Sequence, residues 1–250
     1  MPEMVKKIKA IRVDNKSREI DEVLSNDEEI KIIVNKTVIG NFSMSPTFLK
    51  EFVVGYLLGE GLINSIKDIT DIKIENRTVE VKTDLEDFDL RRDLVMSSDC
   101  FGGMRSRVEL VKKVKFDYKI NKEDILEAST KLRENSNIWS ETGGTHIAAL
   151  IGKDYFNSIE DVSRHVAIDK VIGAGALDKV DFSKSFIMCS GRMPGDMIIK
   201  IARVGIPVLA SKSAPTASGY MVGEESQVTI VGFVRGGRFN IYTHPNRIMF

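Results

Sequence analysis

The sequence predicts an α/β protein with a layered C-terminal part and a smaller N-terminal α+β part. Helical and strand periodicities alternate after residue 121, which is typical of helices packed on a sheet. Residues 30–83 instead combine strand-like stretches with one apolar helix. The chain has 250 residues, of which 42% are hydrophobic, and no apolar stretch reaches the roughly 18 to 20 residues of a membrane span. We therefore expect a soluble globular protein with one or two ordinary cores.

The N-terminal elements are predicted from short stretches with clear periods. Isoleucines and valines over residues 30–38 indicate a strand. Apolar residues at helical spacing predict a helix over residues 47–60. Apolar and charged residues alternate over residues 69–75 and 78–83, which predicts a hairpin. Together these elements form the predicted N-terminal α+β domain, residues 1–95.

Residues 96–117 are predicted to form a mobile loop, because they have no sustained period and contain two adjacent glycines. Cys100 lies in this loop, so its thiol is expected to be accessible, which is the first requirement of a reactive cysteine. Arg105 and Arg107 favour the thiolate and Asp99 opposes it, which leaves the direction of the pKa shift open. On these residues alone, an incidental loop cysteine is the alternative.

Residues 118–250 are predicted to form a C-terminal domain of alternating helices and strands. Residues 186–211 have the pattern of a βαβ unit with parallel strands. Right-handed crossovers place the carboxyl ends of such strands at one edge, where α/β sheets usually bind ligands. Cys189 ends the first strand and is predicted to pack in the core. The predicted helices are 122–135, 161–177 and 193–204, and the predicted strands are 146–152, 186–190, 206–211 and 227–234.

One segment near the C-terminus has the composition of a phosphate-binding site. It comprises Phe233, Val234, Arg235, Gly236, Gly237 and Arg238. Its arginines can bind a phosphate, its glycines let a ligand approach the backbone, and its phenyl ring can stack on a base. A glycine hairpin turn with solvated arginines is the alternative.

Three further residues follow strands of the βαβ unit and are candidates for anion binding. Ser213 and Thr216 lie after the second strand, at a predicted helix N-terminus, which favours anions. Ordinary helix capping by Ser213 is the alternative for this pair. Arg192 follows the first strand and is expected at the same edge of the sheet.

Several classes of function are excluded by counting residues. His146, His165 and His244 lack metal-ligand spacing, so no resident metal is expected. Arg164 and His165 have helical spacing to Asp169, which predicts pairing within one helix. The chain has 2 cysteines, 36 basic and 36 acidic residues, which excludes a disulfide scaffold and predicts no overall attraction to nucleic acid or membranes. Without a signal-peptide pattern, the expected location is the cytoplasm.

Several long motifs in a fixed order resemble those of one family over nearly the whole chain. They are GYLLGEG at 55–61, TGGTH at 142–146, DVSRHVAIDKVIG at 161–173, SGRMP at 190–194 and GFVRGGRFNIY at 232–242. In this combination the sequence resembles the formate dehydrogenase accessory sulfurtransferase family, FdhD.

The resemblance implies a C-terminal domain with a cytidine-deaminase-like α/β/α layer fold that lacks the zinc chemistry. It implies that a cysteine desulfurase passes sulfur to Cys100, which carries it as a persulfide to a bis(molybdopterin guanine dinucleotide) cofactor of molybdenum or tungsten. That cofactor then serves formate dehydrogenase, whose catalytic subunit is an expected partner. The family's cofactor-binding segment matches residues 233–238, and a homodimer is expected.

The loop departs from the family pattern in one respect. Many members have a Cys-x-x-Cys pair, whereas residues 100–103 are Cys-Phe-Gly-Gly. One thiolate is sufficient to carry a persulfide, while resolution through an internal disulfide needs two thiols. The single thiol leaves a chaperone that binds the cofactor without covalent sulfur chemistry as the second hypothesis. A zinc-dependent deaminase is a third, only because of the implied fold.

Overall fold

Two main β-sheets, with helices between and outside them, form the framework of the protein. The computed structural model describes residues 4–84, 113–114 and 117–250. Within these residues, no helix combines the length and apolar character needed to cross a membrane. The strands are β1 Val5–Val13, β2 Ser17–Ser25, β3 Glu28–Val34, β4 Thr37–Met44, β5 Ile69–Glu75, β6 Thr78–Thr83, β7 Ile120–Asn121, β8 His146–Gly152, β9 Tyr155–Asp161, β10 Phe186–Cys189, β11 Val208–Ser211, β12 Thr229–Arg235, β13 Arg238–Ile241 and β14 Ile248–Met249. The helices are α1 Leu49–Gly59, α2 Lys122–Glu134, α3 Asn137–Thr142, α4 Arg164–Leu177, α5 Gly195–Val204 and α6 Ala217–Ser226.

The N-terminal sheet has the strand order β4-β3-β6-β5 and packs on α1. In their shared core, the ring of Phe42 lies 5.3 Å from that of Phe52 and 5.0 Å from that of Tyr56, in edge-to-face contacts. The single strand predicted over residues 30–38 is wrong. Asn35 and Lys36 have φ values of 46° and 70°, so they turn the chain and make β3 and β4 a hairpin.

Helices α1 and α4 cross with their backbones in contact. A Cβ atom on Gly55 would lie 1.8 Å from the carbonyl oxygen of Asp169, and one on Gly173 would lie 1.8 Å from that of Glu51. Neither glycine has a side chain to separate the helices. The crossing therefore holds the N-terminal sheet and α1 against the helical layer of the C-terminal part.

The central sheet has the strand order β13-β12-β11-β10-β8-β9. β10, β11 and β12 are parallel, with Phe186 opposite Val208, so the parallel βαβ unit is confirmed. Helices α4, α5 and α6 cover one face and α2 covers the other. The mixed α/β class is thereby confirmed, and the carboxyl ends of three strands lie at one edge.

The start of one helix predicted for the C-terminal part differs from the structure. The helix predicted from residue 161 begins at Arg164, because Tyr155–Asp161 is strand β9. The Asp161 side chain instead accepts a hydrogen bond of 2.8 Å from the backbone N–H of Ser163, in the turn before the helix. In the whole described chain, the elements that were not predicted are strands β1, β2, β7, β9, β13 and β14 and helix α3.

Buried charges connect the two sheets through α4. Lys170 is fully buried, and its Nζ donates to Asp161 Oδ2 at 2.6 Å and to the Ser45 carbonyl at 2.9 Å. Asp169, which the sequence predicted to pair within its own helix, accepts a bond of 2.7 Å from Lys200 of α5. These contacts link α4 to the end of β4, to β9 and to α5.

Candidate functional site

Two loops at the carboxyl edge of the central sheet are bonded to each other. They are residues 190–194, after β10, and residues 212–216, after β11. The Met193 N–H donates to the Ala214 carbonyl and the Thr216 N–H donates to the Met193 carbonyl, both at 3.1 Å. The Ser211 hydroxyl donates to the Gly191 carbonyl at 2.6 Å. The backbone of both loops is therefore fixed where the sequence predicts ligand binding.

Phe233 interrupts β12 with a left-handed backbone conformation. Its φ is 55°, and the pairing of β12 with β13 shifts register between Gly232 and Arg235. This conformation costs a bulky residue on the order of 1 kcal/mol or more. A hydrogen bond of 2.9 Å from the Phe233 N–H to the Ser213 carbonyl holds it. The bulge thus joins residues 233–238 to the loop that carries Ser213.

The Gly236-Gly237 pair forms the turn of the β12–β13 hairpin, with φ values of 58° and 75°. This is the turn geometry that the sequence left open as an alternative. Arg235 and Arg238 lie opposite each other beside the turn, and both are exposed. The guanidinium carbon of Arg235 lies 5.5 Å from the centroid of the Phe233 ring. The turn therefore places two cations and one aromatic ring on one short segment.

The same turn borders a cleft of about 270 Å³ against α2. Val234 lines the cleft and is fully buried, with its side chain in the core cluster beneath the sheet. The Val234 carbonyl accepts a bond of 3.1 Å from the Ser129 hydroxyl of α2. This contact fixes the segment from the helix side.

Helix α6 is capped by Thr216, whose hydroxyl accepts a bond of 3.2 Å from the Gly219 N–H. The alternative of capping by Ser213 is therefore wrong. The Ser213 N–H donates to the Ser211 hydroxyl at 3.0 Å, which orders the start of the loop. Arg192 is exposed at the same edge, in the loop bonded to that of Ser213 and Thr216.

The edge also contains residues that the sequence did not assign to ligand binding. His146 Nδ1 lies 3.3 Å from the Ser190 hydroxyl oxygen, which accepts a bond of 3.1 Å from the Ile147 N–H. Arg164 begins α4 directly beside Gly191, where a Cβ atom would lie 2.9 Å from the Arg164 Cδ. Ser190 and Arg164 belong to the SGRMP and DVSRH motifs of the sequence, respectively. The sequence alone does not show that the two motifs lie close together in the fold.

Of the two cysteines, only Cys189 lies within the described residues. Cys189 is 3% exposed, which confirms its predicted place in the core, and burial raises the pKa of its thiol to about 11. Cys100 and nearly all of the loop predicted over residues 96–117 lie outside the described residues. The position of Cys100 relative to this edge therefore stays a prediction.

Two further features concern metal binding and a second cavity. Among the described residues, no group of three or more His, Cys, Asp or Glu side chains is arranged to hold a metal ion. A cavity of about 850 Å³ is lined by Phe186 at the start of β10 and by the turn between β8 and β9. It thus lies at the end of β10 opposite to the loop of residues 190–194.

The sequence was compared with known families and proteins. The FdhD/NarQ family model matches residues 25–249. The sulfur carrier protein FdhD of Methanothermobacter thermautotrophicus is 49% identical over 246 residues, which cover 98% of this chain and 99% of that protein. The sulfur carrier protein FdhD of Sulfolobus acidocaldarius is 32% identical over 98% of both chains.

A solved structure supports the same relationship at the level of the fold. The crystal structure of a candidate formate dehydrogenase accessory protein from Desulfotalea psychrophila superimposes with a TM-score of 0.81 at 25% sequence identity. The similarity covers 99% of this chain and 100% of that one. The whole arrangement of sheets and helices is therefore shared with that protein.

Proposed function

Since the chain belongs to the FdhD/NarQ family, we propose that it is a sulfurtransferase that accepts sulfur from a cysteine desulfurase and delivers it to a bis(molybdopterin guanine dinucleotide) cofactor. The molybdenum or tungsten cofactor is the substrate here, and formate dehydrogenase is its destination. The family relationship supports the sulfur-carrier role for formate dehydrogenase. The proposal adds three points to this role: the cysteine desulfurase as donor, a persulfide intermediate, and binding of the guanine dinucleotide part of the cofactor.

Cys100 is the proposed persulfide carrier. Its thiolate attacks the outer sulfur of the donor's persulfide, an S–S bond forms on Cys100, and the donor cysteine leaves as a thiolate. Release of the carried sulfur as sulfide consumes two electrons, which the acceptor or an external thiol supplies. The other cysteine of the chain does not suit this role, because Cys189 is buried and a thiol with a pKa of about 11 is protonated at neutral pH.

The observation that carries the nucleotide part is the strained Phe233 bulge bonded to the Ser213 loop. Strained backbone at a non-glycine residue is typical of binding sites, where the surrounding structure maintains it. We assign the base to the Phe233 ring and the phosphates to Arg235, Arg238 and the amides of Gly236 and Gly237. Ser213, Thr216 and Arg192 border the same ligand from the two fixed loops.

The remaining expectations belong to the same proposal. The layer of α4, α5 and α6, the central sheet and α2 agree with a cytidine-deaminase-like α/β/α domain. Its predicted bounds are residues 118–250, with residues 1–95 as the N-terminal domain and 96–117 as the intervening loop. A homodimer suits a ligand with two guanine dinucleotide arms. The cytoplasm is the proposed location.

The sulfur step is tested by intact-mass measurement after incubation with a cysteine desulfurase and cysteine. The wild type and Cys189→Ala should each gain the mass of one sulfur atom, and Cys100→Ala should gain none. Cys189→Ala is the matched control, because it removes the only other cysteine of the chain. A sulfur adduct on Cys100→Ala would reject the assignment. A protein that binds the cofactor but never gains sulfur would instead be the non-covalent chaperone.

The nucleotide step is tested by calorimetric titration with GDP. Arg235→Ala and Arg238→Ala should each weaken binding by about 1 to 3 kcal/mol, because each removes a charge-assisted hydrogen bond. Arg77→Ala, at the turn between β5 and β6, removes the same charge at a distant turn and should leave the affinity unchanged. Equal GDP affinity in all four proteins would reject residues 233–238 as the nucleotide site.

A further inference from the structure

Four polar or cationic side chains from three elements lie at the carboxyl edge of the central sheet, around the ends of β10 and β8. The loop after β10 is bonded to the loop of residues 212–216, which in turn is bonded to residues 233–238, the proposed nucleotide segment. The four side chains are His146 at the start of β8, Arg164 at the start of α4, and Ser190 and Arg192 in the loop after β10. We call these four residues the anion cluster. Its residues other than Arg192 have no role in the function proposed above.

Hydrogen bonds fix the backbone beneath the anion cluster. The Ser190 N–H donates to the Ile147 carbonyl at 3.0 Å, and the Ser190 hydroxyl accepts a bond of 3.1 Å from the Ile147 N–H. The Gly191 carbonyl accepts a bond of 2.6 Å from the Ser211 hydroxyl. The loop is therefore bonded to both neighbouring strands, β8 and β11, before any ligand arrives.

Gly191 allows the Arg164 side chain to lie across this loop. A Cβ atom on Gly191 would lie 2.9 Å from Arg164 Cδ and 3.0 Å from Arg164 Cβ, closer than ordinary van der Waals contact. The arginine stem thus occupies the space that a side chain at position 191 would take. This packing positions the Arg164 side chain beside the residue that precedes Arg192.

The charges of the cluster repel each other. Burial lowers the pKa of Arg164, and the positive charge of Arg192 lowers it further. Burial also lowers the pKa of His146, and Arg192 acts in the same direction. Like charges held at close range destabilise one another, and a bound anion removes that cost.

Two carboxylates near the anion cluster, those of Asp161 and Asp196, accept hydrogen bonds from groups outside the cluster. Asp161 accepts hydrogen bonds from the Lys170 ammonium and from the Ser45 and Ser163 N–H groups. Asp196 accepts a bond of 2.9 Å from the Met197 N–H and lies 3.8 Å from His165 Nδ1. The amino end of α4 adds a favourable dipole for a negative charge.

We propose that the anion cluster is a phosphoryl-binding subsite, in which Arg164 and Arg192 bind the phosphate oxygens and His146 and Ser190 complete the contact. This inference rests on the proposed function, because it assigns the phosphates of the same ligand to a second place beyond residues 233–238. The phosphoryl group belongs either to a nucleotide held by that segment or to a free phosphate compound.

The test is calorimetric titration of the full chain with GDP, guanosine and inorganic pyrophosphate. Arg164→Gln should weaken GDP and pyrophosphate binding by about tenfold each, the usual effect of losing one charge-assisted contact, and should leave guanosine binding unchanged. Arg164→Lys should restore part of the affinity. Arg77→Gln is the matched control and should bind all three compounds as the wild type does.

A second variant keeps the charge and moves it. Gly191→Ala should displace the Arg164 stem and weaken GDP binding without changing the net charge. Melting curves of each variant report whether it is folded. If both variants, Arg164→Gln and Gly191→Ala, bind GDP and pyrophosphate as tightly as the wild type does, the proposed subsite is wrong.

The outcomes separate this inference from the function on which it rests. Pyrophosphate binding that depends on Arg164, without any binding of guanosine, supports the subsite and rejects the Phe233 base site. GDP binding that depends on Arg235 and not on Arg164 supports the nucleotide segment and rejects the subsite. A wild type that binds neither GDP nor pyrophosphate rejects the subsite as well.

Discussion

Lys170 is a buried residue whose removal is expected to have a large effect on stability. Both Lys170 and its partner Asp161 are fully buried, so removal of one leaves the other charge without compensation. Lys170→Met should lower the free energy of unfolding by about 3 to 5 kcal/mol, measured by urea denaturation. Replacing both residues, with Lys170→Met and Asp161→Leu, should recover much of the loss.

The control for this prediction is an exposed ion pair of the same type. Lys184 lies 3.5 Å from Asp181, and both side chains are more than half exposed. Lys184→Met should therefore change the free energy of unfolding by less than about 1 kcal/mol. A Lys170→Met protein as stable as Lys184→Met would contradict the importance of the buried pair.

The sequence could not reveal the role of Lys170. Its helical spacing is that of an ordinary charged residue, and its partners Ser45 and Asp161 come from the end of β4 and from β9. The same limit applies to Arg164, whose neighbour Gly191 follows another strand. Cys189 could be predicted, because its burial follows from the apolar strand in which it lies.

At the scale of elements, the glycine crossing of α1 and α4 is open to direct test. Gly55→Ala and Gly173→Ala each place a methyl group against backbone that cannot move without separating the helices. Each should lower the free energy of unfolding by about 1 to 3 kcal/mol or more, measured by urea denaturation. Their double variant should be far from additive, because both glycines form one contact.

Gly59→Ala is the matched control on the same helix. Its new Cβ atom would meet the flexible stem of Lys200 at 3.3 Å. Alanine also has a better helix propensity than glycine, by up to about 1 kcal/mol. The stability of Gly59→Ala should stay near that of the wild type, and equal losses at positions 55 and 59 would argue against the crossing.

The elements with continuous apolar character or a strong helical period were the most predictable. β10, α5 and β11 have continuous apolar character or a strong helical period, and their order fixes a parallel unit. The β1–β2 hairpin was not predicted. Its strands contain both charged and apolar residues, and neither strand has a face that is buried along its length. The break between β3 and β4 was missed because Asn35-Lys36 is a turn without glycine.

At the scale of the whole molecule, the β1–β2 hairpin is a separate two-stranded sheet whose tip is exposed. Ile11 is 72% exposed and Val13 is 76% exposed, and the family match begins only at residue 25. A chain lacking residues 1–25 should lose less than about 1 kcal/mol of stability, which lowers the melting temperature by less than about 4 °C. Thermal unfolding and GDP titration measure the result, and an unfolded product would contradict it.

The contact between Gly55 and Gly173 also constrains how the chain matures during synthesis. Every residue from Phe52 to Gly59 is buried, and part of that cover is α4, which ends at Leu177. Until the ribosome has released the chain beyond that point, the apolar surface of α1 facing α4 has no native partner. Contacts so distant along the chain are slow to form and leave nascent surfaces open to aggregation. We therefore expect the apolar surface of α1 to stay open to chaperones that bind emerging chains until α4 has been synthesised.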